Sequence, residues 1–252
     1  MDFQIALILG QDGITNGAIY ALLALALVLV FAVTRVIFIP QGEFVAFGAL
    51  TLAALQLPRA PDVAWWLLAP GTLWLLLGAG VAVVALELVA SLGKGARLRI
   101  VPLLGWNLAY PLALVALVLT SEPATWPLLA QVVLALAVVA PMGPMLYRLA
   151  YQPLAEATVL VLLIVSVAVH LALVGLGLLF FGAEGSRTPA FSEASFSFGD
   201  VVVNGQTLWV VAASLALIVG LYLFFGRSLY GKALRATAIN RTGARLMGIS
   251  TT

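Results

Sequence analysis

The chain has 252 residues, of which 63% are hydrophobic and only 9% charged. Soluble domains run near 45–50% apolar and about 25% charged, so these proportions exclude a soluble enzyme, a disordered chain and a collagen-like one. The absence of cysteine rules out disulfides, thiolate zinc sites and cysteine nucleophiles, and the single histidine, His170, rules out a multi-histidine metal centre within the chain.

A bilayer core of about 30 Å needs about 20 apolar residues at helical rise. Seven segments meet this, near 12–33, 36–57, 65–90, 102–120, 126–147, 157–181 and 207–226. They are too long and too uniformly apolar for the alternating strands of an outer-membrane barrel. The expected fold is therefore an all-α polytopic bundle of about seven spans in residues 1–226, with a tail at 227–252. The opening MDFQIALILG lacks a basic n-region and does not read as a cleaved signal peptide.

Basic residues set the orientation. Taken alternately, one set of gaps holds Arg35, Lys94, Arg97, Arg99, Arg148, Arg227, Lys232, Arg235, Arg241 and Arg245, and the other only Arg59 and Arg187. The first set is cytoplasmic, which puts the N-terminus outside and the tail inside. Asp2, Asp12, Asp62, Glu122, Glu184, Glu193 and Asp200 then fall on the outer side. Residues 182–206 form the longest outer loop, where Val201–Val203 followed by Asn204-Gly205 suggests a short hairpin. In the tail, residues 230–239 suit a short helix along the inner face; a plain positive-inside stop signal explains the same charges.

In the first segment, Gly13, Gly17 and Ala21 put small residues on one face, with Asn16 beside it, a pattern that permits close helix approach. The second segment carries Pro40-Gln41-Gly42-Glu43. Two readings stand. A break here would place helix-terminal N–H groups inside the membrane, as transporters do to hold charged substrate groups. Alternatively the helix simply begins at Pro40, and Glu43 in its first turn complements the dipole. Glu87, near the inner end of segment three, is expected to snorkel or to pair with the basic loop at Lys94–Arg99. His170, in the middle of segment six, fits a neutral bond between helices better than a proton relay. Pro141 and Pro144 should kink segment five near its inner end.

Gly226-Arg-Ser-Leu-Tyr-Gly231-Lys232 matches the first seven positions of a P-loop, but Ala233 stands where magnesium binding needs Ser or Thr. The stretch also follows a membrane helix rather than a strand, so nucleotide binding is rejected. No Gly-x-Ser-x-Gly, His-Glu-x-x-His or paired catalytic carboxylates occur, and no covalent chemistry is expected.

The first hairpin, with Asn16-Gly17-Ala-Ile-Tyr20 and then Pro40-Gln41-Gly42-Glu43-Phe44, resembles the opening of the branched-chain amino acid ABC transporter permeases of the LivH type. Tyr151-Gln152-Pro153-Leu154 after Arg148 is similar to that family's Tyr-Arg-Pro-Leu stretch, and Glu184-Gly185-Ser186-Arg187 matches in the outer loop. The closest likeness is the tail, Gly231-Lys232-Ala-Leu-Arg235-Ala236 through Ala244-Arg-Leu246-Met-Gly248, which looks like the cytoplasmic coupling loop.

The resemblance implies the membrane-spanning permease subunit of an importer in the bacterial inner membrane. A solute-binding protein would deliver a branched-chain or related amino acid outside. A second permease subunit would complete the path, and ATPase subunits would bind the ATP, so this chain would hold no cofactor and perform no hydrolysis. Membrane lipid would surround it, and no nucleic acid is expected. Asn16, Gln41, Gly42 and Glu43 would lie on the translocation path. Gly231, Lys232, Arg235, Ala236, Ala244, Leu246 and Gly248 would couple to the ATPase.

Three departures accompany the likeness. Segments three and four look like an inserted helix pair; Gln152 replaces the usual Arg and the coupling loop lacks its customary acids; and the family continues beyond the position of Thr252, so a fragment, split subunit or truncated product is expected. Other readings are a urea or short-amide permease, a gradient-driven carrier using Glu43, Glu87 or His170, and a non-transporting assembly subunit.

Overall fold

The computed structural model describes residues 3–57, 69–94, 103–155, 157–198 and 201–249. The Lys94–Arg99 loop beyond Lys94 lies outside them, as do Asp2, Arg59, Asp62 and Asp200. Each of the seven expected segments holds a helix among the described residues, although 36–40 and 69–70 are not helical and 65–68 and 102 lie outside those residues: α1 (Phe3–Thr34), α2 (Gln41–Gln56), α3 (Gly71–Lys94), α4 (Tyr110–Thr120), α5 (Leu128–Val139) continued by α6 (Met142–Leu146), α7 (Val159–Phe181) and α8 (Gly205–Arg227). The tail adds α9 (Leu229–Ile239) and α10 (Arg241–Leu246).

Among the described residues, five helices are long and apolar enough to cross a membrane, at Ile5–Thr34, Gly71–Leu92, Leu128–Leu154, Val159–Phe181 and Gly205–Arg227. The remaining two segments are shorter. Gly105–Thr120 is one. The other, α2, has 16 residues, about 24 Å of helix against the ~30 Å of a bilayer core. The chain is an all-α polytopic membrane bundle.

Two compact units make up the chain: residues 1–38 with 189–252, and residues 39–188. In the second, Leu73, Leu76 and Val83 of α3 are fully buried in one cluster with Val118 of α4, Val138 of α5 and Met145. The spacing of the three α3 residues defines one helix face. In lipid such contacts act through close packing rather than water exclusion, so gaps between helices matter more than apolar area.

Prolines write the irregularities of this unit. Pro111 has no N–H for the Asn107 carbonyl four residues back. The chain answers with a π-turn at Gly105–Ala109, closed by Tyr110 N–H donating to the Gly105 carbonyl. The released Asn107 carbonyl lies against Gly80 of α3, where any β-carbon would overlap it. A second π-turn, Tyr147–Tyr151, precedes Pro153 in the same way. Segment five breaks at Ala140-Pro141, between α5 and α6, as its prolines predict. Pro141 leaves the Ala137 carbonyl without a helical donor, and the Tyr110 hydroxyl donates to it at 2.8 Å. Neighbouring side chains commonly restore freed backbone groups inside membranes.

In the first unit, α1 packs along α8, with Gln11 Nε2 donating to Thr207 Oγ1 at 3.4 Å. A β-carbon placed on Gly13 or Gly17 would meet no atom within 4 Å, so their small-residue face is open among the described residues. The expected hairpin exists, with a different turn. Val201–Asn204 (β2) pairs antiparallel with Ser195–Phe198 (β1), in front of it. Asn204-Gly205 is therefore not the turn: Asn204 ends the strand and Gly205 opens α8. Gly205 is required there, because a side chain would press on Ser192 Oγ and the Ala194 carbonyl.

Candidate functional site

The site is built around the start of α2. The chain is irregular over residues 35–38 and turns at Ile39-Pro40 before α2 begins at Gln41. Pro40 caps the helix with φ −65°, and Glu43 sits in the first turn. The helix-start reading of Pro40–Glu43 therefore describes the local backbone.

The start does not lie at the end of the bundle. Ile39 N–H donates to Ser166 Oγ at 3.0 Å, and Ser166 shares a hydrogen bond with the Tyr151 hydroxyl at 3.1 Å. Ser166 and Tyr151 are both buried. Ser166 stands seven residues into α7, about 10 Å from its first residue at helical rise. Glu43 stands beside His170, one turn deeper, with Oε1 and Nδ1 2.7 Å apart. Further along, the Phe47 ring lies against Gly177 and 6.4 Å from the Phe181 ring. These contacts rise together along both helices, so α2 and α7 run parallel and α2 begins about two turns into α7 rather than beside its end.

The start of α2 at Pro40–Glu43 thus packs against the body of α7 rather than its end. Its carboxylate meets an imidazole. The side chains are 15% exposed for Glu43 and 35% for His170. The contact is close without being a directed hydrogen bond, and Glu43 Oε2 has no hydrogen-bond partner among the described residues. An acid at a span centre costs about 2.5–3.5 kcal/mol, and a polar partner at this distance lowers that cost.

The outer half of α2 is held by polar pairs. Thr51 Oγ1 and Thr72 Oγ1 are 2.7 Å apart. Gln56 Nε2 donates to Gln131 Oε1 at 3.0 Å, while Gln131 Nε2 donates to the Pro123 and Trp126 carbonyls at 3.0 Å each. Polar side chains between spans act as such fasteners. Beside Glu43 in sequence, Phe44 helps line an apolar cavity of about 400 Å³ with Trp74, Gly78, Met142, Leu173 and Phe180. Glu87 meets Arg148 at 3.7 Å, with exposures of 40% and 43%, rather than a described residue of the basic loop. An exposed pair at that distance contributes little.

The tail is a helix–turn–helix. Ser228 Oγ caps α9 by accepting from Gly231 N–H at 2.9 Å, and Asn240 Oδ1 caps α10 by accepting from Gly243 N–H at 2.9 Å. The P-loop-like stretch is thus a capped helix–helix junction. A β-carbon on Gly231 would overlap the Phe224 carbonyl. Gly248, at φ +78°, ends α10: its N–H donates to the Arg245 carbonyl, and Ile249 N–H to the Ala244 carbonyl. This paired bonding is the Schellman motif, which needs a left-handed residue.

The seven tail residues expected to couple therefore divide. Gly231 and Ala244 are buried and Gly248 shapes the turn, while Lys232, Arg235 and Leu246 are exposed and Ala236 is half-buried. Of the four expected path residues, Gln41, Gly42 and Glu43 cluster at the start of α2; Asn16 is exposed on α1, in the other unit. Sequence reasoning missed Ser166 and the role of Tyr151. A lone Ser in an otherwise apolar span was the available signal.

Residues 101–252 match the family described as branched-chain amino acid transport system, permease component. The chain belongs to that family. The match takes in Tyr151, Ser166, His170 and the whole tail of the permease, and begins after α2 and α3. No curated protein and no solved structure matches the chain. As an ABC permease component it works with an ATPase and other ABC subunits.

Proposed function

We propose that this permease subunit carries a branched-chain or related aliphatic amino acid, with Gln41, Gly42 and Glu43 on the translocation path. The observation that carries this reading is the position of Glu43: first turn of a helix that begins beside the body of α7, against His170, with one carboxylate oxygen unpartnered among the described residues. A carboxylate there suits a substrate ammonium, and the neighbouring apolar cavity has room for a short aliphatic chain. Competition experiments test the substrate class. Excess leucine should suppress uptake of labelled substrate and excess urea should not; the reverse would favour the amide reading.

The tail couples the bundle to the ATPase through its exposed residues, Lys232, Arg235 and Leu246, on a scaffold set by Gly231, Ala236, Ala244 and Gly248. Arg235→Glu is expected to lower ATPase recovery in co-purification by about tenfold, the effect of some 1.4 kcal/mol. Undiminished recovery would remove the coupling assignment. The Glu43–His170 contact also favours a second reading, proton-coupled transport. Uptake that persists without the ATPase and collapses with the proton gradient would establish it.

A further inference from the structure

We propose that the first unit binds an anionic phospholipid of the inner leaflet, its acyl chain in a groove between α1, α8 and α9 and its headgroup at Arg235. The groove encloses about 360 Å³. Leu25 and Leu29 form one wall, Ile218 and Phe225 the other, and Leu234 and Arg235 of α9 the cytoplasmic end. From Leu25 to Val33 it follows nine residues of α1, about 12 Å at helical rise. Tyr222, 77% exposed, stands on its rim, so the groove opens sideways rather than into the unit's interior.

Charge identifies the occupant. Arg235 is the single charged residue of the lining, and it has no acidic partner among the described residues. The tail beyond Phe225 carries Arg227, Lys232, Arg235, Arg241 and Arg245 and no acid. In the bundle without its ATPase, an apolar partner helix would fill the groove and bring no anion to Arg235. An anionic lipid answers both, and basic pockets between spans on the cytoplasmic side bind such headgroups.

The pocket's inner end is also tied down. Arg35 is the only described non-glycine residue with positive φ, at 63°. Its guanidinium donates to the Ala238 carbonyl at 3.2 Å, in the last turn of α9. That contact holds α9 across the end of α1, and a cation is favoured at a helix C-terminus.

The test uses the full chain without its ATPase, which separates it from the coupling assignment. The permease is placed in nanodiscs of phosphatidylcholine containing a photoactivatable acyl-chain analogue of either phosphatidylglycerol or phosphatidylcholine. Labelled peptides are then mapped by mass spectrometry. The phosphatidylglycerol probe should label residues 25–33 and 218–226 in about fivefold excess, the preference one basic side chain confers near an anionic headgroup. Arg235→Gln should abolish the excess and Arg235→Lys keep it. Leu29→Trp, which fills the groove, should reduce labelling by both probes. Equal labelling by the two lipids overturns the proposal. So does an excess that survives Arg235→Gln, or an unlabelled groove, which would indicate a protein partner in place of lipid.

Discussion

Glu43→Gln is expected to reduce substrate uptake by about tenfold or more, the consequence of losing roughly 1.4 kcal/mol of interaction along the path. Assembly should persist, because Gln keeps the shape of the side chain and α2 is held elsewhere by Ser166, Thr72 and Gln131. The measurement is uptake into proteoliposomes holding the complete transporter, alongside size-exclusion profiles of the variant. Normal uptake would reduce Glu43 to a helix-start residue.

The pairing with His170 gives a second, independent readout. His170→Leu leaves the carboxylate without its partner, so its loss of thermal stability should exceed that of Glu43→Gln. A broken buried pair costs about 3–5 kcal/mol; with these side chains 15% and 35% exposed, about 1–2 kcal/mol is expected. The double variant Glu43→Gln with His170→Leu should recover part of the loss. Strictly additive effects would show that the two groups do not interact.

Gly80→Ala should be the most damaging single change in the second unit. The new methyl group would overlap the Asn107 backbone carbonyl, which a change of rotamer cannot move. Pro111 fixes that carbonyl's freedom from the helix ladder, so α3 must shift away from the π-turn. Overpacking costs about 1–3 kcal/mol where side chains adjust, and a backbone neighbour places this site at the upper end. The core cluster around Leu76 and Val83 lies on the same helix, so the shift would open it. Thermal melting in detergent should show a lower midpoint, or no folded material. Gly78→Ala, with nothing within 4 Å of its β-carbon position, is the control and should be nearly neutral.

Residue chemistry alone determined that this chain lives in a membrane, that its segments are helical and where they break. Lipid offers no partner for a backbone N–H or carbonyl, so a run of apolar residues has little choice but helix. A proline removes a donor wherever it stands, and Pro111, Pro141 and Pro153 each mark an irregularity close by. The Ser228 and Asn240 caps and the Gly248 ending are local too, because their bonds span only a few residues. Which helix faces which was not legible. In the α7 segment only Ser166 and His170 mark a face, and two polar residues in an otherwise apolar helix do not say which neighbour that face meets. Tertiary packing therefore decided that Glu43 meets His170, that Ser166, bonded to Tyr151, receives the Ile39 N–H, and that Gly80 receives the Asn107 carbonyl. Each contact depends on the rotation and depth of two helices distant in sequence, and close packing sets both at once.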